Sequence, residues 1–269
     1  VTEVNASAGS VGMAVAGIAH AGTGRTPEAA MRPAFRRAGG VRVALFSLDA
    51  TQPSFAATAE RAGAAWLSLE DPAAWTATLA PRIEAARREA DVVLVAVHWG
   101  ANLETEPSPA EIAVGHAIVD AGADAILGTS AHVLQGIEIH KGRPILHDAG
   151  DLLFDSVRND FADSGVFTLK LSTRGVEEVT FTPVGVGFGF SRQLEGDEAR
   201  ALSERFAAQC LALGTQMSPL PAALTIPVGA TAAEAQRQLV LRTFASTSGD
   251  AVRTAKMLHN VGVGAETAA

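Results

Sequence analysis

Cysteine is almost absent from this 269-residue chain, where Cys210 stands alone. An internal disulfide, a zinc ribbon and a Cys-x-x-Cys redox site are therefore excluded. The lone thiol reads as a small buried hydrophobe on a helix. Tyrosine is missing and aromatics make up only 5% of residues, which suits closely packed α/β layers. No apolar run reaches the roughly 18 residues that a membrane-spanning helix needs. Basic clusters are lacking too: none is longer than Arg36-Arg37 or Arg87-Arg88, and the formal net charge is −8. Duplex binders draw their affinity from neutralising phosphates, so nucleic acid is not an expected partner. Polyanions are repelled unless a metal or a local basic pocket intervenes. There is no initiator Met and no charged start leading into an apolar stretch. No signal peptide is visible, and Val1 reads as a truncated or processed start.

What is present is apolar material, 48% of residues against 19% charged, enough for a sizeable core. Val41–Leu48 follows Gly39-Gly40 as a buried strand. Asp71-Pro72 opens a helix whose apolar positions Trp75, Leu79, Ile83 and Ala86 share one face. Asp91–Val97 is continuous, β-branched and apolar, the pattern of a central strand buried on both faces. Ser108-Pro109, with Glu111 in the first turn, starts a helix that runs to about Ala121 and stops at Gly122. Asp124–Leu127 is a further strand. Gly136–Ile139 and Pro144–Leu146 read as strands joined by the Lys141-Gly142 turn. Gly165–Ser172 and Val176–Val186 form a hairpin around Arg174-Gly175. Asp197–Leu213 is an amphipathic helix. The proline-rich Ser218–Pro227 punctuates the chain, and Ala232–Ala245 has helical character. The sum is an α/β fold that turns mixed or antiparallel toward its end.

The histidines are the residues most open to chemistry. His98 ends the strongest strand, in His98-Trp99-Gly100. Ligand crevices of open α/β sheets lie at the carboxyl ends of strands, so His98 suits a metal or phosphate site; a backbone cap is the plainer alternative. His132 follows the next strand in Gly128-Thr129-Ser130-Ala131-His132, either a second ligand or part of a hydroxyl-stabilised turn. Gly150-Asp151 and Asp155 follow a third strand, where carboxylates ligate metals, orient ligating imidazoles or form turns. His116 reads as a packed or partly exposed helix residue and His140 as a turn residue. His147 follows a strand with nothing to separate a site from a strand-end hydrogen bond, and His20 lies in a small-residue loop. His259, in the tail, receives no role. Several motifs fail on inspection. Position 132 is His, so there is no Gly-x-Ser-x-Gly elbow. No Walker sequence occurs. Gly185-x-Gly187-x-Gly189 lies in a hairpin, the wrong context for a dinucleotide fingerprint.

From His98-Trp99-Gly100 onward, the run DVVLVAVHWGANLETEPSPAEIAVGHAIVDAGADAILGTSAHVLQGIEIHKGRPILHDAGDLLFD resembles the C-terminal half of CapA-like proteins, the poly-γ-glutamate capsule-synthesis family. Their pattern has a strand ending in His-Trp-Gly and a helix with "aH.lidaGaD". A Gly-His-x-x-His-like loop, "qgiE.y.GrpI" and a Gly-Asn or Gly-Asp turn follow. Gly17–Gly24 resembles the family's "Gi.haGaG" segment. The resemblance covers about residues 15–213, leaving 214–269 as a C-terminal extension. It implies a calcineurin-like metallophosphoesterase fold, a layered αββα sandwich with mixed sheets, incomplete here at its N-terminus. It also implies a site for divalent metal (Mn, Fe or Zn) at strand ends.

Carried over residue by residue, His98 and His132 are the metal ligands. Asp151, Asn102, Ser130 and Asn5 are supporting residues. Thr129 or Ser130 stands where the family loop has its earlier histidine. The donor set is thus depleted, since zinc usually takes at least three protein ligands. Two functions follow. One is metal-dependent phosphoester hydrolysis on a small-molecule or polymer substrate. The other is non-catalytic binding of an envelope polymer or assembly partner on the same fold. Either implies work at the cell envelope or outside the cytoplasm.

Overall fold

The computed structural model describes residues 18–153, 162–220 and 223–228. Asn5, Asp155 and the helical stretch expected at 232–245 lie outside them. The strand expected at Val41–Leu48 is β3 (Val41–Asp49), and the one expected at Asp91–Val97 is β5 (Val92–His98). They pair in parallel at the centre of a six-stranded sheet. β6 (Ala125–Thr129) and β8 (Arg143–Ala149) extend the parallel run. Antiparallel edges close it, β2 (Ala34–Ala38) against β3 and β7 (Leu134–His140) against β8. The short strands β1 (Thr23–Gly24) and β4 (Gly63–Ala64) pair separately.

Strand alternation divides the sheet into two faces. Val93, Val95, Val97, Ile126 and Ile145 point into one core. Helices α2 (Pro72–Ala86) and α3 (Pro109–Asp120), which follow the single turn α1 (Pro27–Ala30), cover that core. The stripe expected on α2 is the buried one: Trp75, Leu79, Ile83 and Ala86. Both helices start as their caps dictate. Asp71 accepts from Ala74 N at 3.1 Å. Ser108 and Glu111 form a reciprocal capping box, which satisfies two N–H groups that the first turn leaves unpaired.

On the opposite face Leu94, Ala125, Leu127 and Leu146 meet a second, wholly antiparallel sheet. In it β10 (Gly175–Gly187) pairs β9 (Ala162–Ser172) along one side, and β11 (Phe190–Gln193) and β13 (Ala223–Pro227) along the other. Helix α4 (Gly196–Ala212) adds Leu202, Phe206 and Cys210 to this second core, with the Phe206 ring 4.1 Å from that of Phe181. The architecture is a layered α/β sandwich with one mixed and one antiparallel sheet.

Three expectations change. Ser218–Pro227 does not merely punctuate the chain: β12 (Ser218–Leu220) and β13 form a hairpin at the sheet edge, where a strand tolerates proline because it owes no outward hydrogen bond. His140 is the last residue of β7, not a turn residue, because the turn is made by Lys141 and Gly142, both at positive φ. Such a two-residue turn matches strand twist and lets pairing run to its edge. For the same reason β8 extends to Ala149 and encloses His147, which is buried within it.

Candidate functional site

The parallel register brings three strand ends level: Asp49 of β3 lies opposite His98 of β5, and His98 opposite Thr129 of β6. His98 Nδ1 is 3.1 Å from Asp49 Oδ1 and 3.1 Å from Thr51 Oγ1. Asp49 also accepts from Thr51 N, Thr51 Oγ1 and Gln52 N. Burial pushes its carboxyl pKa up, but those donors, with His98, outweigh burial and hold it below the usual carboxylate range. The carboxylate therefore stays ionised and takes the Nδ1 proton of His98, which leaves Nε2 as the acceptor nitrogen.

Trp99 fixes the strand end. Its ring is fully buried, and Nε1–H donates to His147 O at 2.7 Å, across the backbone of Gly128. Gly100, at φ 87°, turns the chain away beside Glu111. Glu111 is buried, and its Oε1 has no partner among the described residues.

The loop after β6 is stitched to the loop after β5 by Trp99 N to Thr129 O, Leu103 N to Ala131 O and Ser130 Oγ to Gly100 O. Within it Ser130 (φ 120°) and His132 (φ 63°) hold conformations that L side chains rarely adopt. Such strain costs about 1–3 kcal/mol per residue and clusters at functional sites. Asp148 secures both sides of this region: it accepts from Ala131 N at 2.7 Å and from Gly150 N at 2.8 Å. Burial raises its carboxyl pKa above the usual value despite those donors. The anchored neighbours carry the next pair, His132 Nδ1 to Asp151 Oδ1 at 2.9 Å.

Each imidazole singled out from the sequence thus carries a carboxylate on Nδ1. Asp151 contacts His132, and Ser130 donates to Gly100 O across the two loops. Asn102 is exposed on the loop after β5 and makes no hydrogen bond to the site among the described residues. Asp49, Thr51 and Asp148 were missed. The signal for Asp49 was a carboxylate directly after the strand expected at Val41–Leu48. His20, ambiguous in sequence, has its Nδ1 buried without a partner among the described residues. It lies two residues before Gly22, whose backbone runs against Ser47 of β3.

Among the described residues, three or more His, Cys, Asp or Glu side chains close enough to share one metal ion come together away from the strand ends. His116 of α3 and Glu138 and His140 of β7 bring their ligand atoms within 4.8 Å of one another. Among the described residues no helix is long and apolar enough to cross a membrane.

Fold and strand ends together define a layered α/β protein with carboxylate-oriented imidazoles at the carboxyl end of its parallel sheet. Residues 12–156, more than half of the chain, match the family described as "Bacterial capsule synthesis protein PGA_cap". The chain belongs to that family. Relatives include a probable polyglutamine synthesis accessory protein of Mycobacterium tuberculosis, 35% identical over 53% of this chain and 39% of that protein. The capsule biosynthesis protein CapA of Bacillus anthracis is 31% identical over 58% of this chain and 37% of its own length. The PGA biosynthesis protein CapA of Bacillus subtilis is 33% identical over 39% and 28%. The chain spans well under half the length of these curated relatives. Among solved structures, a hypothetical protein from Thermus thermophilus aligns with a TM-score of 0.38 and 17% identity, over 57% of this chain and 61% of that one.

Proposed function

We propose that the chain acts in capsule or poly-γ-glutamate synthesis at the cell envelope. Its strand-end crevice holds a divalent metal of the Mn, Fe or Zn class and hydrolyses a phosphoester or related bond. The observation that carries this reading is the pair of carboxylate–imidazole contacts, Asp49 with His98 and Asp151 with His132. Proteins use this arrangement to fix the tautomer and orientation of ligating histidines. His98 and His132 would hold the ion. When bound, such an ion polarises a phosphoryl oxygen and lowers the pKa of water. The chain's own part is to hold both imidazoles aimed, through Asp49, Asp151 and the strained 129–132 loop.

The test uses the full chain loaded with Mn²⁺, Fe²⁺ or Zn²⁺, elemental analysis, and turnover of a generic phosphodiester. Metal content and turnover should fall together on His98→Ala. No bound metal, with unchanged stability in a His98→Ala, His132→Ala variant, would sink the reading.

The second reading is non-catalytic binding of an envelope polymer or assembly partner. It is favoured by the donor count. Asp49, Asp148 and Asp151 are already engaged by hydrogen bonds, and Thr129 and Ser130 stand where the resembled loop has an imidazole. Binding of poly-γ-glutamate that is indifferent to chelator and to His98→Ala would support it.

A further inference from the structure

The second donor group lies on the helix-covered side of the β7 edge, away from the strand ends. It is assembled from two periodicities. His116 and Asp120 are four apart on α3 and share a helix face. Glu138 and His140 are two apart on β7 and share a sheet face. His116 Nε2 is 2.5 Å from Glu138 Oε1, and His140 Nε2 is 3.4 Å from Asp120 Oδ1. The imidazoles of His116 and His140 stack, with centroids 3.8 Å apart and planes within 10°.

Glu138 is held from behind. Its other oxygen, Oε2, is 3.2 Å from Nε2 of the fully buried His147. Burial alone would raise the Glu138 pKa, but its contacts with His147 and His116 prevail and lower it, so the carboxylate is ionised at neutral pH. His140 Nε2 is buried and makes no well-formed hydrogen bond. His116, Glu138 and His140 are each partly exposed, so the group is open to solvent from one side.

We propose that His116, His140 and Glu138 form a transition-metal site, with Asp120 as a fourth ligand and His147 orienting Glu138. Two imidazole nitrogens with carboxylate oxygens select Zn²⁺, Co²⁺ or Ni²⁺ over Mg²⁺ and Ca²⁺, which prefer all-oxygen sets. Ligands about 2.0–2.1 Å from a tetrahedral ion lie about 3.4 Å from one another. Donors already within 4.8 Å therefore need to close by about 1.4 Å at most.

Two events accompany loading. His116 Nε2 leaves its contact with Glu138 and offers its lone pair to the ion, the neutral ring carrying its proton on Nδ1. Lys141, whose Nζ is 2.6 Å from Asp120 Oδ1, releases that carboxylate. With Asp120 and Glu138 against one ammonium, the group keeps an anionic surplus that draws a cation. Arg143, the other cation nearby, is engaged by Asp124 at 2.8 Å.

The site does not rest on the strand-end reading, and one set of titrations separates them. Zn²⁺ is titrated calorimetrically into the full chain, into His116→Gln and His140→Gln, and into a His98→Ala, His132→Ala variant. Co²⁺ absorption in the visible reports coordination. Expected in the wild type is a zinc-binding event that survives His98→Ala, His132→Ala and weakens at least 10-fold on His116→Gln and on His140→Gln, separate from any event that the strand-end histidines supply. Mg²⁺ and Ca²⁺ should not compete. Absence of any zinc event that both glutamine variants weaken, or of any zinc event once the strand-end histidines are removed, overturns the proposal. Should that double variant fail to fold, the wild type decides by histidine-ring NMR. Zn²⁺ must then shift the His116 and His140 ring signals, and a spectrum in which those two stay still overturns the site.

Discussion

Gly128→Ala tests the contact that fixes the His98 strand end. A Cβ at Gly128 would lie 2.0 Å from His147 O, 2.6 Å from Leu146 O and 2.5 Å from Trp99 Nε1. Two of these are backbone atoms of β8 and cannot swing aside, so β6 and β8 must part or the indole must leave. Forcing a methyl into a packed core costs about 1–3 kcal/mol. Breaking the buried Trp99–His147 hydrogen bond adds about 1–3 kcal/mol. Together the loss is about 2–6 kcal/mol, a large share of a domain stability of about 5–15 kcal/mol.

Urea unfolding followed by tryptophan fluorescence measures it. With a slope of about 2 kcal/mol per molar, the midpoint should fall by about 1–3 M. Trp99→Phe keeps most of the apolar bulk and removes only the indole donor, so it should cost about 1–3 kcal/mol. Both changes together should cost less than their sum, because the one hydrogen bond is lost once. A Gly128→Ala loss below about 1 kcal/mol would refute the close β6–β8 approach on which this account of His98 depends.

Three further outcomes are expected. Asp49→Asn removes the negative charge beside His98 Nδ1, and metal affinity at the strand ends should drop about 10–100-fold in a chelator competition; an unchanged affinity would separate Asp49 from the site. The Arg42 guanidinium and backbone N–H pull the Asp91 pKa down to about 2, below its unfolded value of about 3.9. A depressed carboxyl stabilises the fold above the unfolded value and loses that contribution as pH falls toward 2. Asp91→Asn should therefore flatten the acid limb of a stability–pH curve between about 4 and 2, and an unaltered limb would contradict the pairing. Burial pushes the Cys210 thiol up to about 12, so native protein should resist a thiol reagent at pH 8 that modifies it at once in denaturant.

The fold was legible where burial imposed one period on a long segment. The stripe at Trp75, Leu79, Ile83 and Ala86 and the run through Val92–His98 answer to cores that tolerate no polar interruption. β2 was missed because its Arg36 and Arg37 side chains face solvent on an edge strand, leaving no apolar alternation to read. The β12–β13 hairpin was read as punctuation for a related reason: proline argues against a strand only where both backbone faces must pair.

The two donor groups differ in legibility for a geometric reason. Where parallel strands run in register, position along a strand is itself a coordinate, so a polar residue ending each run is placed beside the others. His98 and His132 could be singled out that way, and Asp49 could have been. His116, Glu138 and His140 meet only because α3 crosses the β7 edge at one particular height. That height is set by Gly115, where even a methyl would come within 3.3 Å of Ile145, and by the Lys141-Gly142 turn that carries pairing through to His140. A helix period of 3.6 and a strand period of 2 share no phase until packing supplies one. Chemistry divided between a helix face and an edge strand therefore escapes a reading taken one element at a time, even when each histidine has been noticed.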